Sequence, residues 1–193
     1  TYPGVGCDVP SHLYSLSFAP KTDWTRKFPE QPEILDYLNE VTDRFDLRPH
    51  LRLGTELTAA TWDDDGQRWE LRFADGTTDH ADVVVAATGQ LNRPQIPDIA
   101  GLDQFEGTAF HSARWDHEHD LTGRDVAVIG IGASAIQFVP EIAPKTGSLH
   151  VFQRTANWVL PKQDTPYPPE VLEQFRLAHE DFAVIVNEYS LVV

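Results

Sequence analysis

The feature that most constrains this chain is the stretch 126–155, VAVIGIGASAIQFVPEIAPKTGSLHVFQRT. Val126, Ala127, Val128 and Ile129 form a short apolar run rich in β-branched residues, the pattern of a parallel strand buried on both faces. Gly130-Ile131-Gly132-Ala133-Ser134-Ala135 then follows GxGxxA, in which each small residue has a physical task. Gly130 makes the tight turn, Gly132 lets a pyrophosphate approach the backbone, and Ala135 is small enough for a helix to pack on the strand. The first turn of that helix, with Ala133, Ser134 and Ala135, presents free N–H groups and a positive dipole end to phosphate. A second strand, Leu149 to Phe152, follows at the spacing that a strand–helix–strand unit requires. The expectation is an α/β fold with a Rossmann-like dinucleotide turn.

The residues after the second strand discriminate between dinucleotides. An NAD site usually places a carboxylate about 20 residues beyond the turn, where it accepts from the ribose 2′-hydroxyl and repels a 2′-phosphate. This chain has Gln153, Arg154 and Thr155 there instead. A guanidinium forks onto phosphate oxygens and a threonine hydroxyl adds a donor, so the expected ligand is NADP, read by Arg154 and Thr155.

Composition excludes several alternatives. A net charge of −15 disfavours nucleic acid and anionic membrane surfaces as partners. Cys7 is the one cysteine, so no intramolecular disulfide forms and a reducing cytoplasm fits. No apolar run approaches membrane-spanning length and no signal-peptide pattern opens the chain. The start Thr1-Tyr2-Pro3-Gly4, the absence of methionine and the apolar end Ser190-Leu191-Val192-Val193 lead to the expectation of a piece of a longer protein, cut at both ends.

Before the glycine turn, residues 1–30 are dense in Pro, Gly, Ser and aromatic residues and are expected to form an ordered loop, functional or a lid, carrying Cys7, Asp8, His12, Tyr14 and Trp24. Asp8 there reads either as a turn-capping carboxylate or as a functional one. A helix is predicted from Gln31, with Ile34, Leu38, Val41 and Phe45 on one face and Pro49 as its stop. Residues 51–80 read as an antiparallel meander turning at Asp63-Asp64-Asp65-Gly66, whose residue order does not match a calcium loop. Val83 to Ala87 read as another buried strand, closed by Thr88-Gly89, and Pro94, Pro97 and Gly101 punctuate the passage to the next subdomain. His111, His117 and His119, with nearby acids, match no zinc spacing, so no metal site is assigned. A helix is predicted from Glu170.

Phe105-x-Gly107-x-x-x-His111-x-x-x-Trp115-Asp116, lying just before the glycine turn, resembles the fingerprint of Baeyer–Villiger monooxygenases, FxGxxxHxxxW followed by Pro or Asp. Related N-hydroxylating enzymes usually carry Tyr or Phe in place of the tryptophan, so Trp115 tips the comparison. The resemblance extends through YPGVGCDVPSHLYSLSF, VVVAATGQL and VFQRTANW.

It implies a Rossmann-like flavoprotein with two dinucleotide-binding domains: 1–104 as a partial FAD domain, 105–121 as a fingerprint hinge and 122–193 as a partial NADP domain. Carried over residue by residue, Asp8 resembles the active-site aspartate, and Gly6 and Cys7 a segment touching NADP. Tyr14 and the Leu57 backbone resemble FAD contacts, Gln90 a residue near the flavin, and His111 and Trp115 the hinge. The family often has arginine where this chain has Gly6, and its N-terminal GxGxxG and later catalytic arginine do not occur here. The implied chemistry uses NADPH, FAD and molecular oxygen to insert an oxygen atom beside a ketone carbonyl, giving an ester or lactone. Asp8 would orient and charge the family's arginine. The alternatives are an N- or S-hydroxylating flavin monooxygenase, or an NADP-binding module without catalysis. Oligomeric state is not legible from these residues.

Overall fold

The computed structural model describes residues 1–89 and 91–178. The chain divides into two compact units, one of Thr1–Val41 with the described residues from Ile96 onward, the other Thr42–Gln95. The second division falls in the Pro94–Pro97 connection, but the first falls inside a helix. Residues 1–41 cluster with the segment that carries the glycine turn.

The N-terminal thirty residues form a loop with one short 3-10 turn at Ser11–Leu13. Helix α1 spans Gln31–Arg44. It stops before Pro49, the predicted terminator, because Asp46 adopts left-handed backbone with φ 52°. Asp46 N–H donates to Asp43 O at 3.2 Å and Leu47 N–H to Thr42 O at 2.9 Å, the paired bonds that satisfy a helix's last carbonyls. Of the predicted apolar face, Val41 is buried and Ile34 packs partly buried beside it, whereas Leu38 and Phe45 are exposed. Tyr37, passed over in the pattern, is buried instead with Ala19, Trp24 and Val41. Its hydroxyl donates to Ala19 O at 2.8 Å and accepts from Leu16 N–H at 2.7 Å, which ties the loop to the helix. Trp24, expected as part of a functional loop or lid, is 0% exposed and serves as core.

The second unit holds the meander: β1 (Leu57–Asp63), β2 (Arg68–Phe73) and β3 (Thr78–Ala81), antiparallel in that order. At the first turn Asp63 accepts from Asp65 N–H at 3.1 Å and Asp64 from Trp62 Nε1 at 3.0 Å. Trp62 and Trp69 face each other across the pair, ring centroids 5.6 Å apart. Residues 83–87, predicted as a buried strand, are not in a strand, and Val83 and Val85 are 74% and 80% exposed. A strand buried on both faces needs neighbours to pair with, and none among the described residues pairs with this run.

Back in the first unit, β4 (Asp125–Ile129), α2 (Ala133–Ile142) and β5 (Ser148–Phe152) make the predicted strand–helix–strand, with β4 and β5 parallel from Asp125↔Ser148 to Ile129↔Phe152. β4 is covered on one face only: Val128 is buried, whereas Ile129 is 54% exposed. Ala135, Phe138 and Ile142 of α2 pack on Val128, and Tyr2, Trp115, Leu121 and Leu149 close the cluster. Helix α3 spans Pro169–Leu177 and buries Phe175. The apolar end 190–193 lies outside the described residues. Among the described residues no helix is long and apolar enough to cross a membrane.

Candidate functional site

The glycine turn has the geometry its sequence requires. Gly130 takes φ +104°, a conformation L side chains rarely adopt, and its N–H donates to Phe152 O at 2.8 Å. Gly132 caps α2 in extended conformation, and the first helical bond recorded runs from Ile136 N–H to Gly132 O at 3.1 Å. The amides of Ala133, Ser134 and Ala135 precede it at the positive end of the helix. A Cβ built on Gly130 or Gly132 meets nothing within 4 Å, so open space lies against the backbone where a pyrophosphate approaches in such turns. The residues present fit that half of a dinucleotide. Among the described residues no second glycine-rich turn joins a strand to an α-helix.

One helical turn further along α2, Gln137 joins this cradle to the N-terminal loop. Its Oε1 accepts from Tyr2 Oη at 3.0 Å and Gly6 N–H at 3.3 Å. Its Nε2 donates to Gly6 O and to Asp8 Oδ1, both at 3.0 Å. All four bonding positions of the amide are filled. The close approach is possible because Gly4 has no side chain: a Cβ there would lie 2.6 Å from Glu141 Cγ and 3.0 Å from Gln137 O, at φ +72°.

Lys162 is the second side chain at Asp8, which stays exposed. Its Nζ donates to Cys7 O at 2.7 Å, lies 3.6 Å from Asp8 Oδ1 and sits 4.8 Å from the centroid of the Phe28 ring. Cys7 is buried, its N–H donating to Pro29 O at 2.9 Å. Asp8 is thus held by an amide and an ammonium, and among the described residues its carboxylate has no capping bond to its own turn.

Arg154 and Thr155 follow β5 after Gln153 and are exposed, at the end of β5 that bonds to Gly130. Asn157 Nδ2 donates to Ile131 O, inside the glycine turn, at 2.9 Å. The fingerprint residues play different parts. His111 Nδ1 accepts from Ala113 N–H at 3.1 Å and caps a short 3-10 turn, Ser112–Arg114. Trp115 packs on Phe138 of α2 and on Phe110, with centroids at 5.1 and 5.2 Å, so the fingerprint leans on the helix of the nucleotide cradle.

The remaining candidates lie apart from this cluster or outside it. Tyr14 is exposed and follows the Ser11–Leu13 turn. Leu57 opens β1 in the other unit. Gln90 lies outside the described residues. Buried His12 stacks on Phe175 at 5.2 Å and approaches Tyr167 Oη at 3.3 Å. Burial, and secondarily the charge of Lys27, holds it below the ordinary histidine pKa. Sequence reasoning missed Gln137, Asn157 and Lys162. For Gln137 a signal existed, a polar side chain in the apolar helix ASAIQFVPEI, but nothing local announced the other two.

Comparison with known proteins adds independent observations. The family model described as flavin-binding monooxygenase-like matches residues 9–186. A Baeyer–Villiger monooxygenase of Streptomyces coelicolor is 57% identical over 164 residues, covering 85% of this chain and 31% of that protein. The crystal structure of cyclohexanone monooxygenase from Rhodococcus sp. Phi1 bound to NADP+ superposes with a TM-score of 0.87 at 38% identity, over 96% of this chain and 36% of that one. The OTEMO complex with FAD and NADP superposes with a TM-score of 0.85 at 34% identity, over 94% of this chain and 36% of that one. The chain therefore spans about a third of the length of these relatives.

Proposed function

The chain belongs to the flavin-binding monooxygenase-like family, and from that premise we propose that it forms the NADP-binding part, and a margin of the FAD-binding part, of a Baeyer–Villiger monooxygenase. The whole protein would use NADPH, FAD and molecular oxygen to convert a small-molecule ketone into an ester or lactone. The observation that carries this reading is the bonding of the Gly6–Asp8 loop through Gln137 to the helix that opens at Gly130–Gly132. It joins a loop resembling the family's active-site segment to a nucleotide cradle within one unit.

On this reading the amides of Ala133, Ser134 and Ala135 receive the pyrophosphate, with Gly130 and Gly132 giving it room. The Arg154 guanidinium forks onto the 2′-phosphate and the Thr155 hydroxyl adds a donor. Gly6 and Cys7 lie alongside the nicotinamide half. Asp8, oriented by Gln137 and Lys162, holds a cationic group of the whole protein over the reacting carbonyl, where positive charge stabilises a developing alkoxide. NADPH would supply the reducing hydride and FAD the activation of oxygen. Tyr14, Leu57 and Gln90 would border the flavin. His111 and Trp115 would form the hinge between a flavin region, 1–104, and a nicotinamide region, 122–193. A cytoplasmic location suits the single reduced cysteine and the cofactors.

The test is turnover by the intact protein with a panel of ketones against tertiary amines and sulfides. Ketone-dependent NADPH consumption yielding a product heavier by one oxygen atom, with NADH a poor substitute, is the expected result. Oxygenation confined to amines and sulfides would assign the chain to the hydroxylating branch instead. Binding of NADPH with no turnover of any substrate would leave only the non-catalytic module.

A further inference from the structure

Arg154 and Thr155 stand on a very short piece of chain whose two ends are both attached to the glycine turn. At one end, Phe152 O accepts from Gly130 N–H at 2.8 Å. At the other, Asn157 Nδ2 donates to Ile131 O at 2.9 Å. Gly130 and Ile131 are adjacent in sequence, so residues 153–156 form a clasp closed on two neighbouring residues of the turn. Burial does not hold this segment, since 153–160 are all exposed and Trp158 is 100% exposed. The Asn157 amide is the one side-chain hydrogen bond that residues 153–161 make among the described residues.

We propose that Asn157 is a positioning residue for NADP selectivity, keeping the clasp shut so that Arg154 and Thr155 stay at the mouth of the turn. The proposal rests on the reading of Arg154 as the group that binds the 2′-phosphate. A segment anchored at both ends has few conformations left to lose when a ligand orders it; released at Asn157, it has more, and that ordering cost falls on binding. The cost falls on the 2′-phosphate alone, because the turn itself keeps its shape through Gly130 and the pairing of β4 with β5. Asn157 thus acts on selectivity without touching the ligand.

The experiment is calorimetric titration of the intact protein with NADP+, NAD+, 2′,5′-ADP and 5′-AMP, in wild type, Asn157→Leu, Asn157→Gln and Arg154→Ala. Asn157→Leu is expected to weaken NADP+ and 2′,5′-ADP by about three- to tenfold, the equivalent of one ordinary hydrogen bond. NAD+ and 5′-AMP should be unchanged, and Asn157→Gln, which retains an amide donor, should recover most of the loss. In turnover, KM for NADPH rises while kcat is kept. Equal losses for all four ligands, no loss in Asn157→Leu while Arg154→Ala stays selective, or no recovery in Asn157→Gln each overturns the proposal. If Arg154→Ala itself weakens NADP+ and NAD+ alike, the phosphate-reading role fails first and the clasp loses its purpose. The Arg154 variant therefore separates the two failures.

Discussion

Gln137 and Asp8, 129 residues apart in sequence, are joined by a hydrogen bond of 3.0 Å from Nε2 to Oδ1. The same amide holds both backbone groups of Gly6 and the hydroxyl of Tyr2. A single side chain of the nucleotide helix thereby sets the position of the loop that carries the candidate catalytic carboxylate. Backbone bonds from Cys7 N–H to Pro29 O at 2.9 Å and from Gln31 N–H to Val5 O at 3.1 Å fix the loop on its other side, while Asp8 and Val9 are exposed and Lys162 supplies the other side-chain contact to Asp8.

Replacing Gln137 by leucine removes four hydrogen bonds and leaves the Gly6 amide and carbonyl with an apolar neighbour. We expect a loss of about 1–3 kcal/mol in unfolding free energy, the range for stranding partly buried polar groups, measured by denaturant titration. A change below about 0.5 kcal/mol would mean that water replaces the amide without cost.

Asp8→Ala separates positioning from binding. In the intact protein the variant should lose about tenfold or more in ketone oxidation, while NADPH affinity shifts by less than about threefold, the pattern of an interaction used after binding. Wild-type turnover in that variant would reduce Asp8 to a structural carboxylate.

His12 makes stability depend on pH with a definite sign. Its folded pKa lies below the unfolded value of 6.5 because burial, then Lys27, disfavours the imidazolium. The unfolded chain therefore binds the proton first as pH falls. The contribution is fully present above pH 6.5 and is lost as pH drops from there through the folded pKa. Denaturation midpoints should decline over that window in wild type and with a smaller slope in His12→Gln. An identical slope in both proteins would assign the pH dependence to other groups.

Trp115 and Phe138 should be energetically coupled. A double-mutant cycle with Trp115→Leu and Phe138→Leu is expected to give about 0.5–1.5 kcal/mol of interaction energy, as aromatic pairs at such separations do. Strict additivity would show that the 5.1 Å approach of the rings carries no energy beyond burial.

Much of the central unit could be read in advance because its causes are local. The β-branched run, two glycines and a small residue at Ala135 define β4, the turn and α2 within a single stretch, and Ala135 does pack beside Val128. The meander was equally plain, since alternation and Asp-Gly turns act over a few residues. Val83–Ala87 is apolar and rich in β-branched residues, as Val126–Ile129 of β4 is, and did not become a strand, because such residues prefer extended backbone but only a neighbouring strand supplies hydrogen bonds. The stop of α1 was misplaced for a related reason: Pro49 is a strong breaker, but Asp46 reached left-handed backbone first and satisfied the carbonyls there.

Sequence alone determined the strand–glycine turn–helix unit, since glycine conformations and helix amides are properties of short segments. The folded chain decided what surrounds it. Gln137 meets Gly6 across 131 positions, Lys162 meets Cys7 across 155, and Asn157 meets Ile131 across 26. Each of those bonds joins a side-chain amide or ammonium to a backbone group, and every residue has a backbone. No residue type at the receiving end marks the partner, so the pairing exists only once packing has brought the two segments together.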